Sequence, residues 1–260
     1  MIKQFLIIQL FLGLCYAGCD WTPDKPKLQE SFVSGLQKSE IICHNHVMIL
    51  FNKEIGFPFA SYAVHNQEQM TKLQGGRKDF IIDPSIPLGQ QHLPNDTIFH
   101  LPYSRGHLTP SYIMTYDKSP NGAWEETYYM SNILPQTAYL NEGPWEKLEM
   151  NIVDTLQQQP AGTVWEIYTG GFWNGQGELG ANLKEIKTDY LFWKAICNRK
   201  KCSSGLITAY NHDGVLRWDV VPVAKLLPGL FDQCCPWNKA LSEWESLLTN
   251  VNEHTSGVIN

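Results

Sequence analysis

Apolar positions along this chain follow two periodicities, and each predicts a different element. Residues 46–51 (HVMILF) and 59–64 (FASYAV) are strand-like runs on either side of Asn52-Lys53-Glu54-Ile55-Gly56, a pairing that predicts a β-hairpin. Residues 164–168, 190–197 and 205–210 are further strand candidates, the last ending at the turn signal Asn211-His212-Asp213-Gly214. Near the C terminus Trp237, Leu241, Trp244, Leu248 and Val251 recur at spacings of three and four just after Pro236, which predicts an amphipathic helix.

A second helix is predicted to open at Gly143-Pro144, because proline suits the first helical position and pushes the preceding residue out of helical geometry. Counting about 100° per residue from Trp145 places Leu148 near 300°, Ile152 near 340°, Leu156 near 20° and Val153 near 80°, one apolar stripe. Glu149 falls near 40° on the same count, inside the stripe. A carboxylate facing the core is costly without a partner. The simplest account is an Arg or Lys waiting at the stripe's edge.

The first residues follow neither pattern. Lys3 precedes an apolar run, residues 5–14 (FLIIQLFLGL), too short to span a bilayer of about 30 Å but suited to a secretory signal. Cleavage is expected after Ala17, giving a signal peptide over 1–17 and a single domain over 18–260. No repeat or long linker divides that domain. Export leaves six cysteines, Cys19, Cys43, Cys197, Cys202, Cys234 and Cys235, an even number that predicts three disulfides in any of fifteen connectivities. A competing lipoprotein box at residues 16–19 would consume Cys19, but Tyr16 stands where an aliphatic residue is wanted. Asn95-Asp96-Thr97 is a glycosylation sequon with Asn95 as acceptor.

Composition narrows the class. The chain has 260 residues, 43% hydrophobic and 18% charged, which excludes a disordered or fibrous protein. Its 20 Lys+Arg against 26 Asp+Glu give a net charge of -6, and removal of Lys3 with the signal makes the mature chain more acidic still. On charge alone nucleic acid is a poor partner unless the basic residues gather on one face. Two patterns are set aside. Gly175-Gln176-Gly177-Glu178-Leu179-Gly180 matches a dinucleotide fingerprint in letters but lacks the helix that must follow it. His44 and His46 could share one strand face as metal ligands, yet no third ligand is near in sequence.

The informative stretch runs from Arg77 to Glu149. It contains Arg77-Lys78-Asp79-Phe80, Ser104-Arg105-Gly106-His107, Ser131-Asn132-Ile133-Leu134-Pro135-Gln136 and Leu140-Asn141-Glu142-Gly143-Pro144-Trp145, then Glu149. A histidine able to titrate near neutrality, two arginines, two asparagines and a misplaced carboxylate are the parts for metal-assisted phosphodiester cleavage. This ordered set resembles the DNA/RNA non-specific endonuclease family of ββα-metal nucleases, which includes the Serratia nuclease and mitochondrial endonuclease G. Within it, the Cys43 region and the run Phe192-Trp193-Lys194-Ala195-Ile196-Cys197 are most similar to secreted animal endonuclease domain-containing 1-like proteins.

The resemblance implies an α+β fold, a central antiparallel β-sheet flanked by helices with a ββα-metal (His-Me finger) active site. It implies that His107 is the general base, that Asn141 is the metal ligand, and that Glu149 holds the metal through water. Asn132 would support the site, and Arg77 and Arg105 would contact the phosphate. The implied cofactor is Mg²⁺, with Mn²⁺ as a substitute, and the implied substrates are DNA and RNA, cut to 5′-phosphate and 3′-hydroxyl ends outside the cell. Two positions depart from the family. Ser104 stands where most members carry Asp, and Val153 where the Serratia nuclease has an Arg. The rival from another class is a secreted nucleic-acid-binding protein descended from such nucleases that no longer cleaves; a third reading is a disulfide-stapled structural or inhibitory protein. Arg77, Lys78, Arg105, Lys194, Arg199, Lys200 and Lys201 are expected to line one basic groove on an otherwise acidic surface.

Overall fold

The computed structural model describes residues 39–173, 190–198 and 203–210, with Leu247. Strands β1 (Ser39–Cys43), β2 (Val47–Asn52), β3 (Phe57–Asn66), β6 (Val164–Trp173), β7 (Tyr190–Asn198) and β8 (Ser203–Tyr210) form one six-stranded sheet in the order β1-β2-β3-β6-β7-β8, every pair antiparallel. The predicted β2–β3 hairpin forms. Asn52 closes it, its Oδ1 accepting from the backbone of Glu54 at 2.8 Å, while Gly56 supplies a φ of 73° that a side chain would resist.

Hydrophobic patterning did not predict the second, two-stranded sheet, although the ββα site implied by the resemblance calls for one. β4 (Tyr103–His107) pairs antiparallel with β5 (Ile133–Thr137), placing His107 opposite Ile133 and Ser104 opposite Gln136. Neither strand carries an alternating apolar pattern. β4 is polar and β5 contains Pro135, a residue tolerated because a two-stranded sheet is all edge.

After β5 the chain makes one tight turn over Asn141–Trp145 and then enters helix α1, Glu146–Gln157. Gly143, at φ −125° and ψ −110°, breaks helical geometry between them, so Asn141 stands ahead of the helix as the proline predicts. The α1 stripe is the predicted one. Leu148, Ile152, Val153 and Leu156 are buried in the same core as Val47, Ile49 and Phe51 of β2, Trp165 of β6 and Leu134 of β5. Each of the fully buried leucines is worth about 1.5–3 kcal/mol, and together they dock α1 against both sheets. Val153 faces this core and is buried in it.

The architecture is α+β with a central antiparallel sheet. No helix among the described residues is long and apolar enough to cross a membrane. Cys43 is disulfide-bonded, and Cys197 is buried in β7. The signal segment, Cys19, Cys202, Cys234, Cys235, the glycine-rich run 175–180, the 211–214 turn signal, Arg199 to Lys201 and the C-terminal helix apart from buried Leu247 lie outside the described residues.

Candidate active site

Strand alternation puts Arg105 and His107 on one face of β4 and Ser104 and Gly106 on the other. Asn132, wholly buried, then holds the chain that leaves His107. Its Oδ1 accepts from the Thr109 backbone at 3.0 Å, its Nδ2 donates to the carbonyls of Thr109 and Thr127, both at 2.9 Å, and its own carbonyl accepts from Leu108 at 2.9 Å. Gly106 is dictated by its neighbour across the hairpin: an added Cβ would lie 2.5 Å from the Gln136 side-chain oxygen. The glycine of one motif and the glutamine of the other are thus a single packing solution.

His107 sits in an aromatic cradle. Its ring lies 5.2 Å from Phe80 and 5.1 Å, edge on, from Tyr128. The residue keeps some exposure, but Nε2 is buried and has no hydrogen-bond partner among the described residues. Burial first, then the positive charges of Lys194 and Arg77, push its pKa down to about 3. The imidazole is therefore neutral at neutral pH, with a lone pair available. Arg105 extends the same stack: its guanidinium lies 4.7 Å from the Phe80 ring centre and donates to the Pro94 carbonyl at 2.7 Å. Arg77 is exposed.

Asn141 reaches back across the Gly143 break to β4, its Nδ2 donating to Ser104 Oγ at 3.2 Å. The serine found in place of Asp therefore takes up the amide nitrogen, and Oδ1 has no hydrogen-bond partner among the described residues. Glu149 projects from the first turn of α1, its side chain 18% exposed, with Oε1 buried 3.1 Å from Lys194 Nζ. Burial raises its pKa and the lysine opposes that rise. The cation expected at the stripe's edge is Lys194.

That finding corrects the groove. Lys194 is completely buried in β7, its Nζ donating to the Leu108 carbonyl at 3.1 Å and Thr169 Oγ1 at 3.0 Å, so it belongs to the floor of the site and not to a surface. Lys78 is ion-paired with Glu125. Of the expected basic residues, Arg77 and Arg105 remain for a polyanion among the described residues. The sequence carried a partial signal: Lys194 is the single charged residue of the run 190–197 (YLFWKAIC), which is apolar on both strand faces as a doubly covered strand reads.

The His44 and His46 pair, set aside as metal ligands, does not share a strand face. Both lie in the turn between β1 and β2, and each has its own carboxylates: His44 Nε2 is 2.9 Å from buried Asp83, while His46 is 3.4 Å from Glu126 and 3.8 Å from Asp117. Glu126 also accepts from three successive backbone amides, Asn45, His46 and Val47, which makes it a structural clamp. Asn95 and Thr97 are exposed, and Asn95 follows the proline that holds Arg105.

Among the described residues no group of three or more His, Cys, Asp or Glu side chains could hold a metal ion. An all-protein cage is excluded there. A neutral amide oxygen and a partly exposed carboxylate instead suit a hard divalent cation that keeps most of its water.

An antiparallel strand pair with a neutral histidine at the end of one strand is tied to an asparagine just ahead of a helix and faces a glutamate on that helix, a ββα arrangement. The comparisons place it: the chain belongs to the DNA/RNA non-specific endonuclease family, whose model matches residues 27–256. It is similar to the nuclease of Serratia marcescens, 23% identical over 165 residues that cover 62% of this chain and 59% of that protein. It is also similar to the mitochondrial nuclease EXOG of Danio rerio, 42% identical over 69 residues, 26% of this chain and 19% of that protein. The chain therefore spans less than two thirds of these relatives' length. Its fold is similar to that in the crystal structure of the EndoG/EndoGI complex, with a TM-score of 0.55 at 18% identity, covering 73% of this chain and 83% of that one.

Proposed function

We propose that this chain is a secreted Mg²⁺-dependent nuclease that hydrolyses phosphodiester bonds of DNA and RNA, leaving 5′-phosphate and 3′-hydroxyl ends. One observation carries the reading. His107 is held neutral, in a partly exposed ring on the same strand face as Arg105. An imidazole kept unprotonated beside a guanidinium is equipped to take a proton from a water molecule while the positive charge holds the phosphate.

His107 accepts the proton of the attacking water. Arg105, fixed by Phe80 and the Pro94 carbonyl, and Arg77 bind the phosphate oxygens. The incoming phosphate adds negative charge and raises the His107 pKa from its depressed value toward the working range. Asn141 Oδ1 and, through water, Glu149 are the groups that would hold the cation. When bound, the cation supplies positive charge to the phosphoryl and leaving oxygens. The disulfide at Cys43 and the apolar leader support an oxidising, extracellular destination.

The test is cleavage of plasmid DNA and of RNA by the secreted chain, with Mg²⁺ and with EDTA, beside His107→Ala. Mg²⁺-dependent cleavage that falls by about 10²–10⁴-fold in a folded His107→Ala variant is expected. Binding without cleavage would replace this reading with that of a nucleic-acid-binding relative.

A further inference from the structure

We propose that Lys194 is a positioning residue of the nuclease site, an internal counter-ion that pins one oxygen of Glu149 so that the other is presented to the site. The proposal rests on the nuclease reading and extends it to a residue for which the resemblance implied no part in the chemistry.

The geometry is specific. Lys194 Nζ donates to the Leu108 carbonyl at 3.1 Å, directly after His107, and to Thr169 Oγ1 at 3.0 Å on β6, and it is ion-paired with Glu149 Oε1 at 3.1 Å on α1. The side chain has no exposure, and its ammonium lies 4.9 Å from the centre of the Trp145 ring, at the start of α1. One ammonium thus joins the end of the strand carrying His107 to the helix carrying Glu149. Oε1 is buried against it, so the 18% exposure of the Glu149 side chain belongs to its other atoms. A buried ion pair is seldom the most stable filling for such a space, since apolar residues of similar volume do as well or better. Its usefulness here lies in direction: with one carboxylate oxygen held at the buried ammonium, the other is turned away from it.

The experiment compares the full secreted chain with Lys194→Met, Glu149→Gln and the double variant, by thermal unfolding in EDTA and by kcat and KM for plasmid cleavage. Lys194→Met is expected to lower Tm by about 10 °C, because it strands a buried carboxylate. Part of that loss returns in the double variant, where the carboxylate is gone. In cleavage, Lys194→Met is expected to lose about 100-fold in kcat with KM within about threefold. Adding it to Glu149→Gln costs no more than about a further threefold, because the lysine acts through the glutamate. Should Lys194→Met alone fail to fold, the double variant against Glu149→Gln carries the comparison. Wild-type kcat in folded Lys194→Met, or the same 100-fold loss in the Glu149→Gln background, overturns the proposal. A wild-type chain that does not cleave fails the nuclease reading itself, before any variant is compared.

Discussion

Replacing Asn132 by alanine removes a side chain that contacts no substrate, yet it should affect both stability and catalysis. The amide makes three buried hydrogen bonds, at 3.0, 2.9 and 2.9 Å, to Thr109 twice and to Thr127. At roughly 1 kcal/mol net each, with stranded partners that no water can reach, the loss is about 3–5 kcal/mol. At about 2–4 °C per kcal/mol for a chain of this size, Tm should fall by roughly 6–20 °C. Calorimetry in EDTA measures this without interference from bound metal. Asn132→Asp sharpens the test, since it keeps the acceptor for the Thr109 amide but turns a carboxylate toward two carbonyls, and should be no more stable than alanine. Well below Tm, kcat should fall by about 100-fold, because the backbone leaving His107 is no longer held. A Tm within about 2 °C of wild type would refute the assignment of Asn132 as the staple of the β4–β5 hairpin.

Gly106→Ala puts a methyl 2.5 Å from the Gln136 oxygen, and should cost about 1–3 kcal/mol in a denaturant melt; most of it should return when Gln136 is shortened to Ala. Stability should fall as pH drops from about 6.5 toward 3. Both His107 and the fully buried His65 have folded pKa values near 3, below the unfolded value, so the unfolded chain binds more protons throughout that window. His65→Leu should flatten the slope by about one proton's worth, and an unchanged slope would contradict it. Two phosphate-binding arginines, Arg77 and Arg105, predict that log(kcat/KM) falls with log salt at a slope of about −2, and each Arg→Ala variant should reduce the slope by about one. A slope near zero would show that neither arginine meets a phosphate.

Local patterns anticipated much of the frame. Alternation and a turn at Asn52 to Gly56 placed the β2–β3 hairpin, and a stripe starting after Pro144 placed α1 with Glu149 on its core side. The hairpin that carries His107 escaped hydrophobic patterning for a physical reason: residues 103–107 are polar, residues 133–137 contain a proline, and their pairing is held by Asn132 and by the fit of Gly106 to Gln136. Those forces act between segments about thirty residues apart and leave no periodicity in either.

The order of the motifs, read alone, picked out the candidate site residues, and the helical periodicity showed that one carboxylate was out of place. It could not determine what that carboxylate meets. Lys194 looked like a member of a surface cluster because it precedes Arg199, Lys200 and Lys201 in the chain, and neighbours in sequence invite one account. Packing on the face of the sheet decided otherwise. Trp145 and Glu149 at the start of α1 and Leu108 after His107 cover the face of β7 that carries Lys194, so its ammonium is buried and finds its partners inside, on α1, on β6 and at the residue after His107. Charge is a property of residues, but burial is a property of the assembled fold, and only the fold turned this lysine from a surface charge into the internal partner of Glu149.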